Sequence, residues 1–151
     1  MTKNVIAVDV GYGNTKVVWN HSIDKLGKER WGETCFRSVA PLMMVDEEKS
    51  GGIQNPDRIP LQINGKKYYA GPAASLGIEA RALDPNYIET DEHEALLRAS
   101  IHIAMREKRE LFEEIDMLVV GLPVSGFRSK GKRLQEIASE PREIPVPTVL
   151  Q

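Results

Sequence analysis

The sequence holds one cysteine, Cys35, so neither an intramolecular disulfide nor a cysteine-based zinc site can stabilise it. Charge of one sign is also lacking: 20 Lys and Arg stand against 22 Asp and Glu, a formal net charge of −2. Such a balance exerts no global pull toward nucleic acid or an anionic membrane. No apolar run approaches the ~20 residues of a membrane-spanning helix, so no direct membrane contact is expected. The first ten residues, M-T-K-N-V-I-A-V-D-V, lack the long apolar stretch and small-residue cleavage site of a secretion signal. A cytoplasmic protein is expected. The phosphate-loop pattern G-x-x-x-x-G-K-[ST] occurs nowhere, and there is no internal repeat or low-complexity tract.

What is present is 151 residues, about one domain, with an ordinary 41% hydrophobic content. Val5 to Val8 form a short, mostly β-branched apolar run that suits a strand buried on both faces. Val17, Val18 and Trp19 form a second run. Between them Gly11, Gly13 and Asn14 tolerate positive φ, which predicts a β-hairpin. A third strand is expected over residues 34–39. Residues 40–88 are punctuated by Gly51-Gly52, Asn55-Pro56, Pro60, Gly71-Pro72 and Asp84-Pro85, too often for long helices. Within them L-Q-I-N-G-K-K-Y-Y-A alternates around Asn64-Gly65, a strong hairpin signal.

From Thr90 the period changes. Asp91 with Glu94 three residues on resembles a capping box, and Ala95, Leu96, Ala99, Ile103 and Ala104 recur at helical spacing. Residues 117–122 read as another buried strand stopped by Pro123, and a more basic helix is expected over about 127–139. Three prolines between Pro141 and Pro147 rule out a helix interior in the tail. The order predicts a mixed α/β layer with an antiparallel start. Its core is 1–39 and 89–151, with 40–88 as an inserted loop-and-hairpin subdomain.

The polar turn in V-D-V-G-Y-G-N-T-K-V-V carries the main functional signal. Asp9 belongs at the mouth of its strand, because an unpaired buried carboxylate is costly. There it can serve as a hard oxygen ligand for a hydrated Mg²⁺. The turn can gather successive N–H groups into a nest for phosphate oxygens, with the Lys16 ammonium beside it. Acid, nest and lysine suit a metal-bound polyphosphate. G-Y-G-N-T-K fails the G-x-G-x-x-G spacing and leads into a strand, so such a site would rest on a hairpin rather than a helix. On pattern alone, a good hairpin turn with charged ends explains the same residues equally well.

D-x-G-x-x-x-x-K between two hydrophobic strands resembles the first phosphate motif of the actin, sugar-kinase and heat-shock-chaperone ATPase superfamily. The fuller form V-D-V-G-Y-G-N-T-K-V-V-W is most similar to the bacterial and archaeal actin-like proteins related to plasmid-segregation ParM. N-G-K-K-Y-Y-A-G-P-A-A (64–74) resembles the hairpin of that family's insertion subdomain, and V-V-G-L-P-V-S-G-F (119–127) its later strand-to-helix turn. The resemblance implies an actin-like ATPase domain with an RNase H-like core and mixed sheet, binding ATP and Mg²⁺. It implies that Asp9 holds the magnesium's water shell, that Gly11, Tyr12, Gly13 and Asn14 wrap the phosphates, and that Lys16 contacts them. Tyr12 departs from actin, which has a small hydroxyl residue there. No second D-x-G follows residue 11, so the chain is expected to be the N-terminal half of a two-domain protein, with no catalytic residue of its own. Filament self-association, plasmid segregation and a DNA-bound adapter protein are the partners and role so implied.

Two other readings stand beside this one. A metal-dependent RNase H-like nuclease would need Asp9 together with Asp116 and a third acid, Asp91 or Glu94. A non-catalytic relic would keep the fold as a binding module. His93 and His102, nine residues apart, fall on opposite sides of a helix and are expected to be surface or boundary residues rather than metal ligands. The basic cluster Arg128, Lys130, Lys132 and Arg133 has no nucleic-acid motif around it and reads as a solvated face. Met43 and Met44 read as packing, and Cys35 as unactivated.

Overall fold

The structure, a computed structural model, describes residues 3–43, 55–74 and 86–151. Strands β1 (Val5–Val10), β2 (Asn14–Ile23), β3 (Glu29–Arg37) and β6 (Met117–Val120) form one sheet in the order β3-β2-β1-β6. β1–β2 and β2–β3 are antiparallel, as short turns allow. β1 and β6 are parallel, which requires a long crossover. Strands β4 (Ile59–Ile63) and β5 (Lys66–Ala70) form a separate hairpin, and the helices are α1 (Asp91–Lys108) and α2 (Val124–Ser139).

Burial along β1 alternates: Ile6, Val8 and Val10 are buried, while Val5 and Asp9 are exposed. The expected strand buried on both faces is therefore a strand buried on one. The reason is that α1 covers the face of Ile6, Val8 and Val17, and among the described residues no helix covers the other. The third strand also starts earlier than expected, because the β2–β3 turn is closed by Asp24. Its Oδ1 accepts from the Leu26 and Lys28 N–H groups at 2.9 and 3.0 Å.

The Asn64-Gly65 hairpin is present in the expected register, with φ of 51° and 75° at the two turn residues, the left-handed pair that such a turn requires. Parts of the expected insertion, 44–54 with Met44 and 75–85, lie outside the described residues. Met43 donates its N–H to the Lys67 carbonyl beside β5.

α1 is buried nearly all round, from His93 through Met105, as befits a helix at the centre of a core. Ile59, Leu61, Ile63, Tyr68 and Ala70 of the small sheet share one continuous buried cluster with Ile6, Val17 and the α1 residues. The N-cap is Thr90, whose hydroxyl accepts from the His93 N–H, and not Asp91 as the spacing predicted. Asp91 is drawn away by tertiary bonds from Asn64 and Tyr68 instead.

α2 begins directly after Pro123, three residues earlier than expected, and β6 stops at Val120. Leu134 and Ile137 bury against Ile88, Val120 and Leu122, which sets α2 against the carboxyl end of β6. No helix among the described residues is long and apolar enough to cross a membrane.

Candidate functional site

Three strands bring Asp9, Lys16 and Cys35 into one row. Asp9 is directly opposite Lys16, and Lys16 opposite Cys35. Because cross-strand partners share a face, all three side chains project from the exposed side of the sheet. Gly121 extends the row beyond β6. Its N–H donates to the Val8 carbonyl at 3.2 Å, and a Cβ at this position would stand 2.7 Å from Asp9 Oδ1. Asp9 thus leans over the one residue type that leaves it room. Neither Asp9 nor Lys16 joins an ion pair among the described residues.

The loop between them is shorter than the sequence suggests, since β1 runs through Val10 and β2 begins at Asn14. Gly11 donates its N–H to the Asn14 carbonyl at 3.1 Å, so that amide is satisfied within the turn. None of Gly11, Gly13 and Asn14 takes positive φ. Gly11 is needed for a different reason: a Cβ there would lie 2.9 Å from the Asn14 carbonyl oxygen. Among the described residues the N–H groups of Tyr12 and Gly13 make no hydrogen bond. The loop is braced from behind, because Ser38 donates its N–H to the Gly13 carbonyl at 3.0 Å and Thr15 Oγ1 lies 2.9 Å from Ser38 Oγ. Two free amides, an exposed carboxylate and an exposed ammonium therefore cluster at the β1–β2 mouth. This donor set fits a hydrated Mg²⁺ with a polyphosphate, since Mg²⁺ binds through one or two carboxylates plus phosphate oxygens.

The Tyr12 ring turns from this row to the other side of the loop. It meets Tyr87 with centroids 5.1 Å apart, and Tyr87 meets His93 edge-on at 5.4 Å. These three rings, with Leu122, Ser125 and Lys130, line a cavity of about 260 Å³ between the β1–β2 loop, the start of α1 and the start of α2. His93 is 3% exposed, and burial lowers its pKa to about 4. Among the described residues its Nδ1 has no hydrogen-bond partner. His102 is buried too, its pKa lowered by burial, and its Nδ1 lies 2.7 Å from the Pro145 carbonyl. Both histidines are core residues rather than surface ones, because α1 is packed on every side. Neither the approach of Gly121 to Asp9 nor the burial of His93 is legible in the sequence. Only the G-L-P turn hinted at the first, and nothing local marked the second.

The acids of the nuclease reading are not assembled. Asp116 Oδ2 accepts from the Asn4 N–H at 2.6 Å, at the opposite end of β6 from Gly121 and about 16 Å from Asp9 by strand rise. Asp91 binds Asn64 and Tyr68, and Glu94 is held by Arg98 and Arg142, each at 2.8 Å. Among the described residues no group of three or more His, Cys, Asp or Glu could hold a metal.

The sheet is thus mixed, covered on one face by α1, and carries the Asp9–Lys16 hairpin loop and Gly121 together at one end. The chain belongs to the family of actin-like protein N-terminal domains, which matches residues 7–148. A search of curated proteins found no match. Among solved structures, the chain is similar to a pCBH ParM non-polymerisable quadruple mutant at 18% identity, covering 92% of this chain and 39% of that one with a TM-score of 0.55. It is also similar to the apo psk41 ParM protein at 16% identity, covering 91% and 42% with a TM-score of 0.59. At these identities the likeness concerns the fold. The chain spans about two-fifths of the length of these structures.

Proposed function

We propose that this chain supplies one wall of a nucleotide cleft in a filament-forming actin-like ATPase that segregates plasmid or other DNA. In this reading Asp9 holds Mg²⁺ through water, the loop Gly11, Tyr12, Gly13 and Asn14 wraps the β- and γ-phosphates of ATP, and Lys16 contacts them. Residues 40–88 act as the insertion on the 1–39 and 89–151 core. The observation that carries the reading is the juxtaposition of the Asp9–Lys16 pair with the two unbonded amides of Tyr12 and Gly13. Tyr12 contributes through its backbone, its ring being taken up by Tyr87. One structural relative is named as a non-polymerisable mutant, which supports asking whether this family member polymerises.

A cleft with one wall binds weakly and turns nothing over. Titration of the ¹⁵N-labelled chain with Mg·ATP and Mg·pyrophosphate to millimolar levels should shift the Tyr12 and Gly13 amides. Lys16→Ala should abolish those shifts. Shifts that persist unchanged in Lys16→Ala, or none at all around the loop, would overturn the phosphate role and leave a relic of the fold acting only as a binding module. Nanomolar ATP affinity or robust hydrolysis by these residues alone would contradict the half-cleft.

A further inference from the structure

The cavity behind the β1–β2 loop lies on the opposite face of the sheet from Asp9. Val10 lines it, and consecutive residues of a strand point to opposite faces. The cavity is therefore separate from the row of Asp9, Lys16 and Cys35. Its volume of about 260 Å³ exceeds the roughly 150 Å³ that encloses benzene and falls short of the roughly 300 Å³ where drug-sized sites begin. One aromatic ring with small polar substituents is the size of occupant it admits.

Val10, Leu122 and the rings of Tyr12 and Tyr87 make much of the wall apolar, which does not suit a bare inorganic ion. The polar side is the first turn of α2. Pro123 precedes this helix without a side-chain capping bond, and the first turn holds no acid. The Val124 and Ser125 N–H groups come before the first intrahelical bond, and neither has a partner among the described residues. Lys130 lies back over the same turn, its Cδ 3.8 Å from where a Cβ on Gly126 would stand. Among the described residues it joins no ion pair. A helix dipole and an unpaired ammonium thus meet at one wall and favour an anionic group.

A second, independent mark is His93. It lines the cavity from α1, is 3% exposed, and leaves Nδ1 without a partner among the described residues. Buried polar atoms are nearly always hydrogen-bonded, so an orphan beside a cavity points to a partner that enters the cavity. A hydroxyl both donates and accepts, and it satisfies Nδ1 in either tautomer.

We propose that this cavity binds a small hydroxyaryl carboxylate. The ring packs against Tyr12, Tyr87 and Leu122, the carboxylate meets Lys130 and the first turn of α2, and the hydroxyl satisfies His93. The site is independent of the nucleotide reading.

Titration of the ¹⁵N-labelled 151-residue chain with 4-hydroxybenzoate and with benzoate, to millimolar levels, tests it. Both should shift the Ser125 and Gly126 amides saturably, and 4-hydroxybenzoate should bind about three- to tenfold more tightly. Lys130→Met should weaken both about tenfold, and benzyl alcohol, which lacks the charge, should bind more weakly than benzoate by a similar factor. His93→Phe should erase the advantage of the hydroxyl. Should that variant fail to fold, Lys130→Met and benzyl alcohol still decide the outcome. No saturable shift, equal shifts with inorganic phosphate, or affinity undiminished in Lys130→Met would overturn the site. A hydroxyl advantage that survives His93→Phe would overturn the part given to His93. Displacement of the ligand by Mg·pyrophosphate would make the cavity part of the phosphate loop's own site and overturn it as a separate one. The Lys16→Ala titration decides the nucleotide reading on its own.

Discussion

The Asp9 carboxylate rests against Gly121, so close that a Cβ on residue 121 would lie 2.7 Å from Oδ1. The obstacle is the end of a short side chain, and Asp9 can rotate away at a rotamer cost of about 1 kcal/mol. Gly121→Ala should therefore shift the thermal midpoint little yet displace Asp9. The same NMR titration should show weakened Mg·pyrophosphate binding. Gly11→Ala meets the Asn14 carbonyl at 2.9 Å, a backbone atom that cannot turn aside, and should cost about 1–3 kcal/mol in chemical denaturation.

Asp91 ties the hairpin turn to the start of α1 through Asn64 and the Tyr68 hydroxyl, at 2.7 and 2.8 Å. Burial, and then this bond, raise the Tyr68 pKa to about 12. Asp91→Ala should cost about 1–3 kcal/mol. Ultraviolet titration of the variant should show a Tyr68 pKa that falls but stays above 10, because burial is the larger cause and is retained.

Glu94 accepts from both Arg98 and Arg142, and the Arg142 side chain is nearly buried. Arg142 also donates to the Ala138 and Ile137 carbonyls at the end of α2. Glu94→Gln leaves the two guanidinium groups without their counter-charge and should cost about 1–3 kcal/mol in denaturant unfolding. A cost near zero would mean that the carbonyl contacts alone hold the Arg142 segment.

His93 gives the fold an acid-sensitive point. Unfolded, it takes up a proton below its ordinary pKa of 6.5; folded, it resists until about 4. The unfolded state binds more protons across that window, so the stabilisation is full above about pH 6.5 and is lost as pH falls toward 4. The span corresponds to up to about 3 kcal/mol. His102, lowered by burial too, adds in the same direction. Urea denaturation from pH 7 to 4 should show the slope, and His93→Phe should reduce it.

Sequence by itself determined the elements and the mouth of the sheet. Short apolar runs placed β1 and β2, alternation placed the Asn64-Gly65 hairpin, helical spacing placed α1, and the D-x-G-x-x-x-x-K loop singled out Asp9 and Lys16, because these signals are local. Only the tertiary structure decided which face of β1 is covered, since that depends on where α1 docks. It also decided that Thr90 rather than Asp91 caps α1, because a partner 27 residues away in sequence, Asn64, claims the aspartate. The approach of Gly121 to Asp9 and the dispersal of Asp116 from Asp9 follow from a parallel pairing of strands more than 100 residues apart, and the burial of His93 and His102 from the packing around α1. Local periodicity carries no information about such a pairing, because it is selected by the packing of the whole core.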